Sequence, residues 1–377
     1  MEKIIFRKFF FDLLTFFLIV SLSLSLITWI IQSVNYLDLI SKDGHGFKIY
    51  FGFISLNFPK IFSKLIIFSY FISIFYIIQK YQENNEILIF WTNGISKLKL
   101  VNFIIKVSII FAIVQISFVN LLVPKLQDKS RDFIRNSNID LFTSLISEKK
   151  FIDTVKDFTI FVDKIDHQGN FENIYLKDSI DKSNIQIITA KSGNIIEKDS
   201  EKYLILDYGQ ILDITDNNID NTKIIKFNST TFNLSKFKTK TTTEPKLQEL
   251  NSKILFDCYN NFLFGNKKDY VLTNFQCSEE FAIKSAKVLF DRSIKQIYII
   301  TLGVLACLLF FNNIKSRKYQ INKLIIFITG LICIVVSEIN SEFISISIIK
   351  NSMIFLSPTI IFILIYFSIF NLNMKKV

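Results

Sequence analysis

Apolar residues in this 377-residue chain are bunched into long runs, with polar stretches between them. A bilayer core of about 30 Å takes roughly 17–25 helical residues to cross. Six runs are long enough: Leu13–Ile31, Ile61–Ile78, Val101–Val123, Ile294–Phe311, Leu324–Ser341 and Met353–Phe370. The first carries no charge. Lys64 and Lys106 sit near the ends of the second and third, where a long side chain reaches the headgroups. Glu338 lies near the far end of the fifth, and Pro358 is in the early turns of the sixth. A buried soluble core accounts for one or two such runs, not six. Lys3, Arg7 and Lys8 precede the first run as they would in a secretory signal. Its apolar stretch is longer than a signal core, however, and no small-residue cleavage pattern follows at "SLITWIIQS", so a retained helix is expected.

Between the third and fourth runs the pattern changes to alternation. In "DFTIFVDKI", Phe158, Ile160 and Val162 alternate with Thr159, Phe161 and Asp163. "NIQIITA" puts Ile185 and Ile187 on one face, while "KYLILDYGQILDI" and "TKIIKFNSTTFNL" are rich in β-formers. Turn signals are expected at "HQGN" (167–170), "KSGN" (191–194) and "TDNN" (215–218). Short punctuated strands predict an antiparallel sandwich, jelly roll or open barrel. Segments 124–150 and 246–293 read as helical connectors. Three parts follow: a membrane half over 1–123, a β domain with helical connectors over 124–293, and a membrane half over 294–377.

Composition agrees: half the residues are hydrophobic, including 41 Phe, and mean hydropathy is +0.37. A net charge of +11 would suggest nucleic acid in a soluble chain. Here it informs topology, because Lys and Arg in short flanking segments orient membrane spans. Segments 1–12, 79–100, 312–323 and 371–377 carry twelve such residues in 53 positions, against four in 40 for 32–60 and 342–352. Both termini are therefore expected in the cytoplasm, with 124–293 across the membrane. The four Cys make no framework: Cys307 and Cys333 fall inside spans. Cys258 and Cys277 read as two free buried thiols, although an oxidising compartment would let them pair. His45 and His167 are far apart, with no metal-ligand spacing, so no metal or cofactor is expected.

No G-x-x-x-x-G-K-[ST], G-x-S-x-G or H-E-x-x-H occurs. Glu338 and Glu342 are the only acids placed for lipid chemistry, and an acid at a helix end more often just reaches water. The segment "QENNEILIFWTNGISKLKL" (82–100) falls in a cytoplasmic loop. It predicts a short amphipathic helix over about 82–96, with Glu83 and Glu86 in its first turn. Ile87, Phe90 and Trp91 share a face, and Asn93-Gly94 forms the stop. Such a helix, with an exposed Trp, suits docking into a groove on a soluble partner or seating in the headgroups. On the other side, Lys42, Lys48, Lys60 and Lys64 cluster around the ends of spans one and two, and Lys60 and Lys64 share a helix face. They are candidate contacts for an anionic lipid headgroup or plain helix-end anchors.

The residues "NEILIFWTNGISKLKLV" resemble the cytoplasmic-loop signature of the YjgP/YjgQ permeases, the LptF/LptG subunits of the lipopolysaccharide export ABC transporter. "VNYLDLISKDGHGF", "NFPK" and "LLVP" also resemble that family, as does the order of spans and β domain. The resemblance is closest to the LptF-type subunit. It implies an α-helical inner-membrane protein of six transmembrane helices (3+3) with an inserted periplasmic antiparallel, jelly-roll-like β domain. It further implies pairing with a paralogous permease and a cytoplasmic ATPase dimer, which passes lipopolysaccharide to periplasmic bridge proteins. Glu86 falls at the signature acid position facing the ATPase and Gly94 at the signature glycine. Asn93 stands where a small residue is usual, and Trp91 is bulkier than the pattern. The competing readings are a membrane enzyme acting on lipid headgroups and a membrane-anchored β-domain scaffold.

Overall fold

Helices cover all six apolar runs but overrun them, because hydropathy marks the part that crosses lipid while helix ends are set by caps and breakers. The computed structural model describes residues 2–37, 40, 46–135, 148–153, 158–166, 170–179, 184–198, 201–215, 222–233, 246–264, 270–272, 275–311, 318–345 and 347–374. Lys42, His45, His167 and most of the turn segments at 167–170 and 215–218 lie outside the described residues. In order, the elements begin with helices α1 (Glu2–Asn35), α2 (Phe47–Glu83), α3 (Ile87–Thr92), α4 (Lys97–Ser117) and α5 (Val123–Arg135). Strands β1 (Lys150–Ile152), β2 (Phe158–Ile165), β3 (Phe171–Asp178), β4 (Asn184–Lys198), β5 (Glu201–Thr215) and β6 (Thr222–Asn233) follow. The chain continues through α6 (Ser252–Phe264), a hairpin of β7 (Tyr270–Leu272) and β8 (Phe275–Cys277), and α7 (Glu279–Leu289). It ends with α8 (Tyr298–Cys307), α9 (Lys318–Glu342) and α10 (Ile348–Met374). Wider π turns at Phe118–Leu122 and Phe290–Ile294 interrupt the third and fourth spans without ending them.

Two compact units result. One joins Met1–Gln32, Leu56–Lys129 and Pro245–Val377; the other joins Ser33–Ser55 and Ser130–Glu244. This differs from the expected 124–293 domain, since 246–293 groups with the helices and residues 33–55 with the strands. In the helical unit, 67 % and 72 % of the apolar windows of spans two and four are buried, against 17 %, 22 % and 11 % for spans one, five and six, so the former pair forms the centre. Small residues permit the close approach. A Cβ on Gly303 would strike the Ser108 hydroxyl, which is itself bonded to Tyr70 Oη at 2.7 Å. A Cβ on Gly330 would enter the ring of Phe71. Polar side chains add bonds between spans: buried Gln115 Nε2 donates to the Ser63 carbonyl at 2.8 Å, and half-buried Asn340 Nδ2 donates to Tyr298 Oη and Ser357 Oγ, both at 3.0 Å.

The other unit holds a six-stranded antiparallel sheet whose strands lie in chain order, β1 to β6. That is a meander, without the crossovers of a jelly roll among the described residues. Its buried face carries Phe158, Ile160 and Val162, as the alternation predicts, with Ile174, Leu176, Ile188, Ala190, Leu204 and Leu206. Ile185 and Ile187 share the opposite face. The expected turn at "KSGN" is absent: β4 runs straight through 191–194. Gly193 instead sits where a Cβ would collide with the Ile205 carbonyl and the Ile174 side chain, and Gly209 is crowded likewise by Thr189 and Phe227. Strand pairing lapses along one row nearby, at Asp163, Asn173, Lys191 and Tyr208. Asn173 and Tyr208 in that row take positive φ, 50° and 53°.

The expectation of two free thiols at 258 and 277 is corrected. Cys258 on α6 and Cys277 at the end of β8 are disulfide-bonded, with Cα atoms 6.0 Å apart and both residues buried. The hairpin folds the chain back, so two positions distant in sequence become neighbours. Under denaturing conditions without reductant, maleimide is therefore expected to label only Cys307 and Cys333, and to label all four Cys after reduction. Labelling of four thiols before reduction contradicts the pairing.

Candidate functional site

The segment that follows span two is a tight turn rather than a single helix over 82–96. Span two ends at Glu83, residues 84–86 turn with Asn85 at φ 58°, and α3 is only six residues long. Glu83 therefore lies at the end of α2, not in the first turn of the short helix as expected. Its carboxylate receives the Gln79 amide at 2.8 Å and lies 3.8 Å from Lys323 Nζ. Glu86 immediately precedes α3, partly exposed, and pairs with Lys8 Nζ of α1 at 3.3 Å.

The shared face of Ile87, Phe90 and Trp91 exists but is turned inward, which corrects the expectation of an exposed docking face. Phe90 is buried, meeting Phe6, Phe9 and Tyr81 edge-on with ring centroids 6.1–6.3 Å apart. Ile87 is buried and Trp91 half-buried, with Lys97 Nζ 5.9 Å from its ring centroid. The large aromatic surfaces of α1 and α2 outcompete solvent for these side chains. The apolar residues that remain exposed are the next two on the helix, Leu88 at 52 % and Ile89 at 49 %.

Gly94 stops α3 at φ 73°. Its N–H donates to the Trp91 carbonyl and that of Ile95 to the Phe90 carbonyl, both at 3.0 Å, closing a Schellman cap with buried Ile95 over Phe90. Ser96 then caps α4 by accepting from the Lys99 N–H. Gln82, which the sequence reading passed over, anchors the whole turn. Buried, it donates to the Leu309 carbonyl at 2.8 Å and accepts from Tyr319 Oη at 2.8 Å, tying span two to spans four and five. Lys99 bonds Glu2 at 2.7 Å, and Tyr81 Oη bonds Asp12.

Of the four candidate lysines, the structure brings together two. Lys60 and Lys64 line a cleft of about 140 Å³ with Gln127, Asp291, Arg292 and Lys295. Lys48 lies in the other compact unit, exposed on α2. Arg292 is the residue here that sequence reasoning missed. Almost fully buried, it donates to the Gln248 and Leu250 carbonyls, both at 2.9 Å, and to Ser252 Oγ at 2.7 Å. The string "DRSIK" at the head of span four carried a signal for it: Asp291 and Lys295 at i, i+4 around an arginine. Glu338 and Glu342 are both ion-paired, to Lys295 at 2.6 Å and Lys287 at 2.7 Å.

Residues 7–372 match the family described as "Lipopolysaccharide export system permease LptF/LptG". Among curated proteins, the chain is 29 % identical over 199 residues to "Uncharacterized protein RP871" of Rickettsia prowazekii (strain Madrid E). That alignment covers 51 % of this chain and 53 % of the relative, so the chain spans about half the length of the curated protein it matches.

Two substitutions separate shape from packing in the turn. Nothing lies within 4 Å of a Cβ on Gly94, so Gly94→Ala is expected to cost only the left-handed backbone, about 1–2 kcal/mol. Phe90→Ala empties an aromatic pocket and is expected to cost about 3–5 kcal/mol. Thermal unfolding in detergent checks the order; an alanine at 94 more damaging than one at 90 contradicts it.

Proposed function

Because the chain belongs to the lipopolysaccharide export system permease LptF/LptG family, we propose that it is a permease subunit, of the LptF type, of an ABC transporter. In this reading the transporter extracts lipopolysaccharide from the inner membrane and passes it to a periplasmic bridge. The chain pairs with a paralogous permease and has no ATPase site of its own, and a cytoplasmic ATPase dimer supplies the energy. Both termini are cytoplasmic and the β domain periplasmic. Lys42, Lys48, Lys60 and Lys64 are headgroup contacts.

The observation that carries the reading, beside the family, is the turn at 83–96. It presents a partly exposed acid, Glu86, next to an exposed apolar pair, Leu88 and Ile89, on a rigid base. A rigid base matters because a coupling contact that yields under load transmits no movement. Glu86 with Leu88 and Ile89 forms the surface for the ATPase. Phe90, Trp91 and Gly94 hold its shape, and Glu83 pins it to span five. The enzyme reading loses its acids, since Glu338 and Glu342 are both engaged by lysines of the fourth span's helix.

In cells, Glu86→Ala is expected to abolish lipopolysaccharide export while leaving membrane insertion intact. Lys8→Ala removes the same intrachain pair and is expected to leave most export in place. Equal loss in the two variants would reduce Glu86 to a partner of Lys8. The purified chain alone is expected to hydrolyse no ATP.

A further inference from the structure

The alternation of side chains in the six-stranded sheet breaks at one level, in five strands at once. One row of the buried face runs through Val162, Ile174 and Ala190, and the next through Ile165, Phe171 and Leu206. Along each strand these rows lie three residues apart, where a regular strand repeats every two. Two consecutive residues per strand therefore point away from the core, at 163–164, 172–173, 191–192, 207–208 and 228–229. They read DK, EN, KS, DY and NS, a polar belt across β2 to β6. The widened step does for the whole sheet what a bulge does for one strand, which is to re-aim side chains. Asn173 and Tyr208 take positive φ within it, a conformation rare for a tyrosine and kept only where the surroundings impose it. Tyr208 is left 66 % exposed.

Beside the belt, on the same face, lies an aromatic cluster. Phe151, Phe161 and Tyr175 are direct cross-strand partners on β1, β2 and β3. The Phe151 ring centroid is 4.7 Å from that of Phe161 and 6.2 Å, edge-on, from that of Tyr175. Cross-strand contact accounts for Phe161 and Tyr175, both half-buried. Phe151 remains 67 % exposed. Asp163 and Asn173 stand two residues along from Phe161 and Tyr175, and the Asn173 Nδ2 donates to the Asp163 carboxylate at 3.3 Å. One exposed ring thus stands on β1 and another on β5, with carboxylate, amide and ammonium groups between them. Four strand spacings separate the two, about 19 Å.

The charges narrow the ligand. The belt carries two lysines against three carboxylates, so no positive excess draws a polyanion. Among the described residues, no three metal-ligating side chains gather. The polar doublets interrupt the aromatic surface, which an apolar partner needs continuous at its core. A sugar matches what is present. Its C–H face stacks on an aromatic ring, and its hydroxyls, each donor and acceptor, suit amides, carboxylates and ammonium groups together. We propose that this face of the sheet binds a neutral oligosaccharide laid across the strands. It stacks on Phe151 and Tyr208 and takes hydrogen bonds from Asp163, Asn173 and Lys191 between them. The site lies wholly in the unit that holds the sheet and does not rest on the export reading, so a failure of either leaves the other standing.

The test uses the full-length chain purified in a polyoxyethylene detergent, which has no sugar headgroup to compete. Calorimetric titrations are made separately with cellohexaose, maltohexaose and a heparin hexasaccharide. At least one neutral hexasaccharide is expected to saturate with a Kd of about 1 mM or below, and the heparin fragment to bind about tenfold more weakly. Phe151→Ala and Tyr208→Ala are each expected to weaken the neutral ligand by about fivefold or more, with Phe151→Trp retaining it. Both rings are exposed, so these variants are expected to unfold within a few degrees of the unaltered chain, which separates lost binding from lost fold. Saturation by neither neutral hexasaccharide, or tighter binding of the heparin fragment, overturns the proposal on the unaltered protein, whatever the variants do. Undiminished binding in both alanine variants overturns it as well.

Discussion

The close packing of span four on spans two and three at Gly303 is the contact on which the helical unit depends. Lipid tails are as apolar as leucine, so helices in a bilayer gain little from hiding apolar side chains from one another. They associate where small residues let backbones approach and where polar side chains bond across the gap. Gly303 supplies the first and the Tyr70–Ser108 bond, against which it lies, the second. With spans two and four at the centre, spans one, five and six keep wide apolar faces exposed, including Ile27, Ile332 and Ile363. Both candidate sites border this central pair. The turn at 83–96 continues from the end of span two and is tied by Gln82 to the end of span four. The cleft lined by Lys60 and Lys64 opens between the same two spans and span three. A disturbance at either is therefore mechanically close to the contact that holds the bundle.

The spans were legible because a bilayer imposes a length and a composition that few other environments require. The strands were legible where one face is buried and the other is not, as in β2. They were misread where glycine has more than one use. "KSGN" has turn residues, yet Gly193 is needed there because a neighbouring strand leaves no room for a side chain, and spacing alone does not separate those uses. β3 went unread because its sequence, "FENIYLKD", alternates only weakly, and its buried face is completed by β2 and β4.

The site was legible in its parts and not in its orientation. Ile87, Phe90 and Trp91 do share a face, but periodicity says nothing of which way a face points. Phe6, Phe9 and Tyr81 turn it inward, and no local pattern records residues so far along the chain. The disulfide escaped for the same reason, since Cys258 and Cys277 meet only through the β7–β8 hairpin. Gln82 and Arg292 bond mostly to main-chain carbonyls, partners whose position belongs to the fold and not to any motif. Family resemblance supplied what physics did not: the expectation of an ATPase as soluble partner and of lipopolysaccharide as the lipid.

Burying Phe90 leaves Leu88 and Ile89 exposed beside Glu86, and this small surface carries the central claim that an ATPase on another chain drives this one. A photoreactive phenylalanine analogue placed at Leu88, with the transporter expressed in its native membrane, tests that claim most directly. The account predicts one dominant light-dependent adduct with an ABC-type ATPase subunit, absent when the analogue is placed at the exposed Tyr208 of β5. Adducts with lipid alone, or equal ATPase adducts from both positions, would contradict it.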